Sequence, residues 1–158
     1  MGSRLDIENA YIAGFLDGDG SIMLQVKRRK DCKSGYRFMA TICFYQDSCH
    51  DKHLYWIKEL LEVGYISERS DNITELRING FSTVYSILYE LSPYIKFKEV
   101  QTKIMMEACH TLKYGIRTIS KENILRLIDI VLEIQKNNYK SGQRKTKEEI
   151  LKIINLTP

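Results

Sequence analysis

The stretch Ile12-Ala13-Gly14-Phe15-Leu16-Asp17-Gly18-Asp19-Gly20-Ser21 changes its period in the middle, and that change decides the fold. Upstream the pattern is helical. Over residues 6–18, Ile12, Phe15 and Leu16 form an apolar face, while Ala10, Ala13, Gly14 and Asp17 form a face of small residues at i, i+3, i+4 and i+7. Glycine inside a helix costs about 1 kcal/mol relative to alanine. A helix that keeps Gly14 beside Ala10 and Ala13 is one that lets another backbone come close. Asp17-Gly18-Asp19-Gly20 ends it. Downstream the period is two: Ile22, Leu24 and Val26 alternate with Met23, Gln25, Lys27 and Arg29, so even positions face a core and odd ones face out.

Asp31 to Gly35 reads as a turn, followed by a strand with Phe38, Ala40, Ile42 and Phe44 inward and Arg37, Met39, Thr41 and Cys43 outward. Arg28 falls on the inward parity and marks the end of the first strand. Ser48-x-x-Asp51 resembles a capping box, with Asp in place of Glu or Gln, opening a helix through Leu54, Ile57, Leu60 and Leu61 that Gly64 stops. Tyr65–Arg69 and Thr74–Asn79 read as a second hairpin, with Leu76 and Ile78 inward and Glu75, Arg77 and Asn79 outward. Helices follow at about 81–91, 98–112, 120–137 and 146–154, with Ser120 and Thr146-x-x-Glu149 as caps for the last two. The order α-β-β-α-β-β-α contains no strand–helix–strand run that demands a parallel crossover. It predicts an α+β fold, an antiparallel sheet with helices on one face. One domain over 1–158 is expected, with a core of about 6–112 and C-terminal helices over about 120–155. No internal repeat is present, and the loop 136–145 is the one candidate boundary.

Composition narrows the classes. The 158 residues are 44% hydrophobic, with two Pro and nine Gly, which excludes a disordered or collagen-like chain. No stretch approaches the roughly 18 apolar residues of a membrane span. Met1-Gly2-Ser3-Arg4-Leu5-Asp6 has no apolar signal core, and Asp6 stands where a myristoylation signal wants Ser or Thr, so a soluble intracellular protein with no membrane partner is expected. Cys32, Cys43, Cys49 and Cys109 contain no Cys-x-x-Cys pair and read as reduced thiols, and a zinc site from Cys49, His50 and His53 lacks a fourth ligand. The net charge of +4 conceals a pattern. Lys27 to Arg37 carries +5 and Lys136 to Lys147 carries +5, which leaves −6 for the remainder. Two basic segments on an acidic body point to a localised polyanion-binding surface, with solvated loops as the alternative.

Asp17 and Asp19 sit at the C-terminal end of the first helix, where exposed carbonyls already carry about half a negative charge. Each carboxylate there is unfavourable by about 0.3–1 kcal/mol unless a cation offsets it. Mg²⁺ would do so through a carboxylate oxygen and a backbone carbonyl. At i and i+2 the two side chains diverge, so at most one holds the metal. An EF-hand starting at Asp17 fails, because Ile22 would stand at the glycine position and Arg28 at the bidentate Glu. A phosphatase of the haloacid-dehalogenase type, with Asp17 as nucleophile, would need a parallel sheet and a later acidic pair. An ordinary Asp-Gly turn stays open on these four residues alone.

Ile12–Gly20 resembles the nine-residue LAGLIDADG motif of the homing endonucleases, whose core has the same α-β-β-α-β-β-α order. Its Leu, Ile and Ala positions read here as Ile12, Phe15, Leu16 and Gly18, with both carboxylates kept. Tyr45-Gln46 stands where that family often has a polar active-site residue. Pro93-Tyr94-Ile95-Lys96-Phe97-Lys98-x-x-Gln101 is similar to the segment bearing its active-site lysine, and Ser141-x-x-Arg144-Lys145-Thr146 to its C-terminal DNA-contacting loop. The resemblance implies a saddle-shaped antiparallel sheet and a metal-dependent DNA endonuclease. A single motif implies a homodimer in which the motif helices pack at the two-fold axis through Ala10, Ala13 and Gly14; packing of that face inside one subunit is the alternative. The resemblance further implies Asp19 and the Gly18 carbonyl as ligands of Mg²⁺, with Mn²⁺ substituting and Ca²⁺ binding without supporting cleavage. Lys98 would stabilise charge on the phosphate and Gln46 would position water, with His50 where relatives carry another basic residue. Taken alone, Lys98 reads as a solvated lysine at a helix start. The outward residues of the hairpins would read the major groove of duplex DNA: Gln25, Lys27, Arg29, Arg37, Thr41, Arg69 and Arg77, with Lys33, Arg144 and Lys145 mainly on phosphates. A pseudo-palindromic site and four-base 3′ overhangs are expected by the same resemblance, and no small-molecule substrate. The alternative is an RNA maturase or repressor that binds without cutting.

Overall fold

A computed structural model describes residues 6–138 and 144–156. The chain runs α1 (Asp6–Asp19), β1 (Gly20–Arg28), β2 (Tyr36–Asp47), α2 (Lys52–Leu61), β3 (Tyr65–Glu68), β4 (Ile73–Asn79), α3 (Phe81–Leu91), α4 (Glu99–Leu112), α5 (Lys121–Asn137) and α6 (Lys147–Ile153), with short 3₁₀ turns at Ser48–His50 and Ile116–Thr118. The four strands form one sheet in the order β1-β2-β4-β3, and every neighbouring pair is antiparallel. Two hairpins therefore lie side by side, as their alternation predicts, and the described residues hold no parallel sheet of the kind a haloacid-dehalogenase-type phosphatase requires. No helix among the described residues is long and apolar enough to cross a membrane.

Period two in β1 and β2 sends Ile22, Leu24, Val26, Phe38, Ala40, Ile42 and Phe44 into a core completed by α1, α3, α4 and α5. Burying each of these larger side chains contributes about 1.5–3 kcal/mol. The register places Lys27 opposite Arg37 and Gln25 opposite Met39 on the other face. The switch from helix to strand is tight. A Cβ on Gly20 would lie 2.6 Å from Leu16 Cδ1 and 2.8 Å from the Leu16 carbonyl oxygen, so only glycine lets β1 leave over the last turn of α1. Gly64 is constrained twice: its φ is +90°, and a Cβ would lie 2.9 Å from the Arg77 carbonyl oxygen.

Helix ends follow local chemistry in part. Ser120 accepts from the N–H of Asn123, and Thr146 with Glu149 forms a complete capping box. The expected box at Ser48-x-x-Asp51 does not form. Ser48 Oγ instead lies 2.9 Å from Thr74 Oγ1, Thr74 donates to Asp51 Oδ2, and Asp47 caps the 3₁₀ turn through the N–H of Cys49. Hydrogen bonds across to β4 took the groups that a local cap would have used. The second hairpin is shorter than expected on its first side, with Arg69 beyond β3 in the turn, its N–H bonded to the Ile73 carbonyl.

Gly64→Ala should lower unfolding stability by about 3 kcal/mol, from the left-handed backbone and the clash together. Urea denaturation measures this, and a loss below about 0.5 kcal/mol would be inconsistent with the geometry.

Candidate active centre and nucleic-acid interface

Helix α1 delivers Asp17, Gly18 and Asp19 to one end of the sheet, and the two carboxylates part company there. Asp17 Oδ2 accepts from the backbone N–H groups of Lys96 and Phe97 at 2.7 and 3.2 Å, and Oδ1 from that of Lys98 at 3.0 Å. Lys98 is the N-cap residue of α4. The negative end of α1 thus meets the backbone N–H groups of the 96–98 segment that leads into α4, and these donors supply the offset expected of a cation at Asp17. Asp19 stays exposed and makes no hydrogen bond or ion pair among the described residues.

Lys98 is 6% exposed and its Nζ donates to the Asp17 carbonyl. Burial pushes its ammonium down from the usual lysine range, and the nearby carboxylates of Asp17 and Asp19 pull it back up. The solvated-lysine alternative is therefore wrong for this residue. Asp19 and Lys98 line a single cleft of about 780 Å³, together with Gly18, Gln25, Arg69 and Lys145. Gln46 is not among its lining residues; its Oε1 turns back onto the N–H of Asp47. His50 is exposed at the end of the 3₁₀ turn.

One wall of the cleft is the edge strand β1 and another is the end of α5. Asn138 donates from Nδ2 to the Ile22 carbonyl at 3.0 Å, closing part of the β1 edge. Gln135 and Lys145 are joined by two hydrogen bonds through the Lys145 backbone, so the second basic segment is tied to α5 beside the cleft. Arg144 is exposed and donates to the Asn138 carbonyl. Lys140 and Ser141 lie outside the described residues. Neither Asn138 nor Gln135 belongs to an obvious motif, because each works on a backbone group outside its own helix, Asn138 on one 116 positions away.

The polar face of the sheet divides into two regions. Toward the tip of the first hairpin Lys27, Arg29, Lys33 and Arg37 are exposed, with Arg29 3.6 Å from Asp31, and Gln25 is half-buried. Nearer the middle, polar groups are already paired. Thr41 is fully buried and donates to Asn79 Oδ1 at 2.8 Å, which corrects its expected place among the exposed base readers. Thr41 lies on the inner strand β2, flanked by Met23 on β1 and Asn79 on β4, so outward parity does not give exposure. Arg77 is held by Glu75 at 3.0 Å and Arg69 by Asp71 at 2.7 Å. Ser21 and Tyr45 share a hydrogen bond at 3.0 Å. Burial pushes the Cys43 thiol up to about 11 and the Tyr45 phenol up to about 12, so both are neutral near pH 7.

Arg28 closes β1 as its parity suggests, with Nη2 donating to the Lys152 carbonyl at the end of α6. The small-residue face of α1 is split. Ala13 is fully buried inside its own chain, which corrects its assignment to a face between subunits. Ala10 and Gly14 are exposed, and a Cβ on Gly14 would meet nothing within 4 Å. With Ile7 at 82% and Tyr11 at 54% exposure they form an uncharged stripe along the outside of α1.

Among the described residues no group of three or more His, Cys, Asp or Glu could hold a metal, so the Cys49, His50 and His53 combination does not converge. Asp19 offers one carboxylate and Gly18 one carbonyl at the free end of α1. That suits a hard cation such as Mg²⁺, which keeps several waters and shares phosphate oxygens of a substrate.

The family model described as LAGLIDADG endonuclease matches residues 12–103. The DNA endonuclease I-CvuI of Chlorella vulgaris is 29% identical over 98 residues, covering 62% of this chain and 61% of that protein, so the match spans about three-fifths of that relative's length. The DNA endonuclease I-CreI of Chlamydomonas reinhardtii is 26% identical over 144 residues, covering 91% of this chain and 86% of that one. The crystal structure of homing endonuclease I-CvuI in complex with its target in the presence of 2 mM Ca has a TM-score of 0.79 at 22% identity, covering 96% of this chain and 97% of that one, and shares the fold. Because the matched residues include the helix-to-strand turn, both hairpins and the Lys98 segment, the chain belongs to the LAGLIDADG endonuclease family.

Proposed function

We propose that this chain is a site-specific, metal-dependent DNA endonuclease of the homing type, working inside the cell as a homodimer on a long pseudo-palindromic duplex. The observation that carries the reading is the shared cleft of Asp19 and Lys98, which opens beside the basic hairpin. Relatives named as DNA endonucleases support the chemistry, and the exposed Lys27, Arg29, Lys33 and Arg37 support the partner. The whole of 1–158 acts as one domain in this reading.

Asp19 and the Gly18 carbonyl would hold the divalent cation, Mg²⁺ with Mn²⁺ as a substitute and Ca²⁺ as a non-productive ligand. The cation, when bound, supplies water activation and neutralisation of charge on the phosphate. Lys98, buried with its Nζ on the Asp17 carbonyl and lining the same cleft as Asp19, would stabilise the phosphate more than an exposed lysine in high dielectric would. Gln46 orients water from the end of β2 once its side chain leaves the Asp47 N–H, and His50 adds a nearby basic group. Gln25, Lys27 and Arg37 meet base edges, while Lys33, Arg144 and Lys145 meet phosphates. Arg69 and Arg77 reach DNA with their guanidinium groups already oriented by Asp71 and Glu75. Four-base 3′ overhangs are the expected product.

One chain carries one Asp19, and two strands require two. The exposed Ile7, Ala10, Tyr11 and Gly14 stripe is the face on which the second chain packs, since missing side chains at Ala10 and Gly14 let two helices approach closely. Gly14→Leu should therefore leave the single chain folded, with helix propensity improved by about 1 kcal/mol, while converting dimer to monomer in sedimentation equilibrium. A dimer of unchanged affinity would place the interface elsewhere.

The activity is tested by selecting cleaved duplexes from a randomised library with Mg²⁺, then assaying Asp19→Asn on the selected site. Cleavage should fall by about 10³-fold or more with site affinity changed less than about threefold, and chelation of the metal should do the same. Cleavage retained by Asp19→Asn would defeat the mechanism. Intron RNA bound more tightly than any duplex, with no cutting, would favour the maturase or repressor alternative.

A further inference from the structure

Asp17 has no place in the reaction just described, yet it collects four donors from three consecutive residues. Its carboxylate takes the backbone N–H groups of Lys96, Phe97 and Lys98, and its carbonyl takes Lys98 Nζ. Lys98 is thus held at both ends, main chain and side chain, by one acidic residue 81 positions away in sequence.

The surroundings make that hold decisive. Between buried Ile95 and buried Gln101, the residues Lys96, Phe97, Glu99 and Val100 are all exposed, Phe97 at 79%, and Lys98 alone turns inward. A lysine has four rotatable side-chain bonds and loses substantial entropy when fixed. Phe97 and Val100, both exposed, lend it no buried apolar neighbour on either side. The segment has a carboxylate seated across its free N–H groups, and the same residue's carbonyl receives the ammonium.

We infer that Asp17 is a positioning residue for Lys98: it latches the 96–98 segment to the end of α1 and so sets the Lys98 ammonium beside Asp19. Motif carboxylates thereby divide their work, Asp19 toward the cleft and Asp17 toward the lysine. For its effect on cleavage the inference rests on the endonuclease reading; for the latch itself it does not. Asn at position 17 keeps the size but replaces one acceptor oxygen by an NH₂ group that faces backbone donors, so at least one of the three N–H bonds is lost.

Three readouts test this. In the wild-type chain, hydrogen exchange at the amides of Lys96, Phe97 and Lys98 should be protected at least about tenfold over the exposed turn at residues 30–34. Exchange as fast as in that turn would overturn the latch without recourse to any variant. In Asp17→Asn, reductive methylation of Lys98 Nζ should accelerate by about tenfold or more, the lysine having left its buried position; an unchanged rate in a folded variant would contradict the inference. On the selected duplex, Asp17→Asn should slow single-turnover cleavage by about 10²-fold with little change in affinity. In a Lys98→Met background the same substitution should slow it less than about twofold further, because its effect passes through the lysine. Fully multiplicative losses would show a role independent of Lys98 and overturn the inference. A wild-type chain that cuts no duplex would defeat the endonuclease reading alone, with exchange and methylation still deciding on Asp17.

Discussion

Helix α1 ends with its free carbonyls and two carboxylates inside three residues, a concentration of negative charge that something has to offset. The segment 96–98 that leads into α4 offsets half of it by donating three backbone N–H groups to Asp17. That contact ties the first helix of the chain to the fourth, brings Lys98 to the same end of the sheet and leaves Asp19 as the carboxylate open to the cleft. The close passage of Gly20 over Leu16 then starts β1 at the point where its polar face continues the cleft. Hydrogen-bond compensation at Asp17 and a missing Cβ at Gly20 together account for why acid, lysine and basic hairpin lie next to one another.

The strands and their inward residues were legible because period two is a local property: Ile22, Leu24 and Val26 needed no knowledge of what they pack against. The order of elements, and with it the antiparallel α+β fold, followed from the same patterns. Exposure was not legible in the same way. Thr41 has outward parity but lies on an inner strand between Met23 and Asn79, and neighbours on both sides bury it. Ala13 and Gly14 share a small-residue pattern, yet one faces the chain's own core and the other faces out, since adjacent helical positions differ by about 100°. At Ser48, a local capping pattern gave way to hydrogen bonds with Thr74 across the sheet.

For the site, residue identity was more legible than role. Asp19 and Lys98 were placed by resemblance to a motif, and they do share a cleft. The burial of Lys98 had no local signature, because Lys96, Phe97, Glu99 and Val100 around it are all exposed, charged and apolar alike, without a helical or strand period. Asp17 did carry a signal, the unfavourable position of a carboxylate at a helix C-terminus. That signal pointed to a cation, while the offset came from backbone N–H groups just ahead of a second helix.

The polar face of the sheet is divided in a way that bears on recognition. Near its centre, Thr41 with Asn79, Arg77 with Glu75 and Ser21 with Tyr45 are already paired. Toward the hairpin tip, Lys27 and Arg37 stand opposite each other and exposed. The first region fixes side-chain direction and the second carries most of the open positive charge. In the proposed homodimer they would make half of a two-fold surface, with a single acid to serve one strand. Mixing wild-type and Asp19→Asn chains on a supercoiled plasmid that bears the selected site tests whether each chain cuts one strand. Mixed dimers should cut one strand and accumulate nicked open circles, while wild-type dimers linearise the plasmid and variant dimers leave it intact. A mixture that yields linear and intact plasmid with no nicked species would contradict one cut per chain.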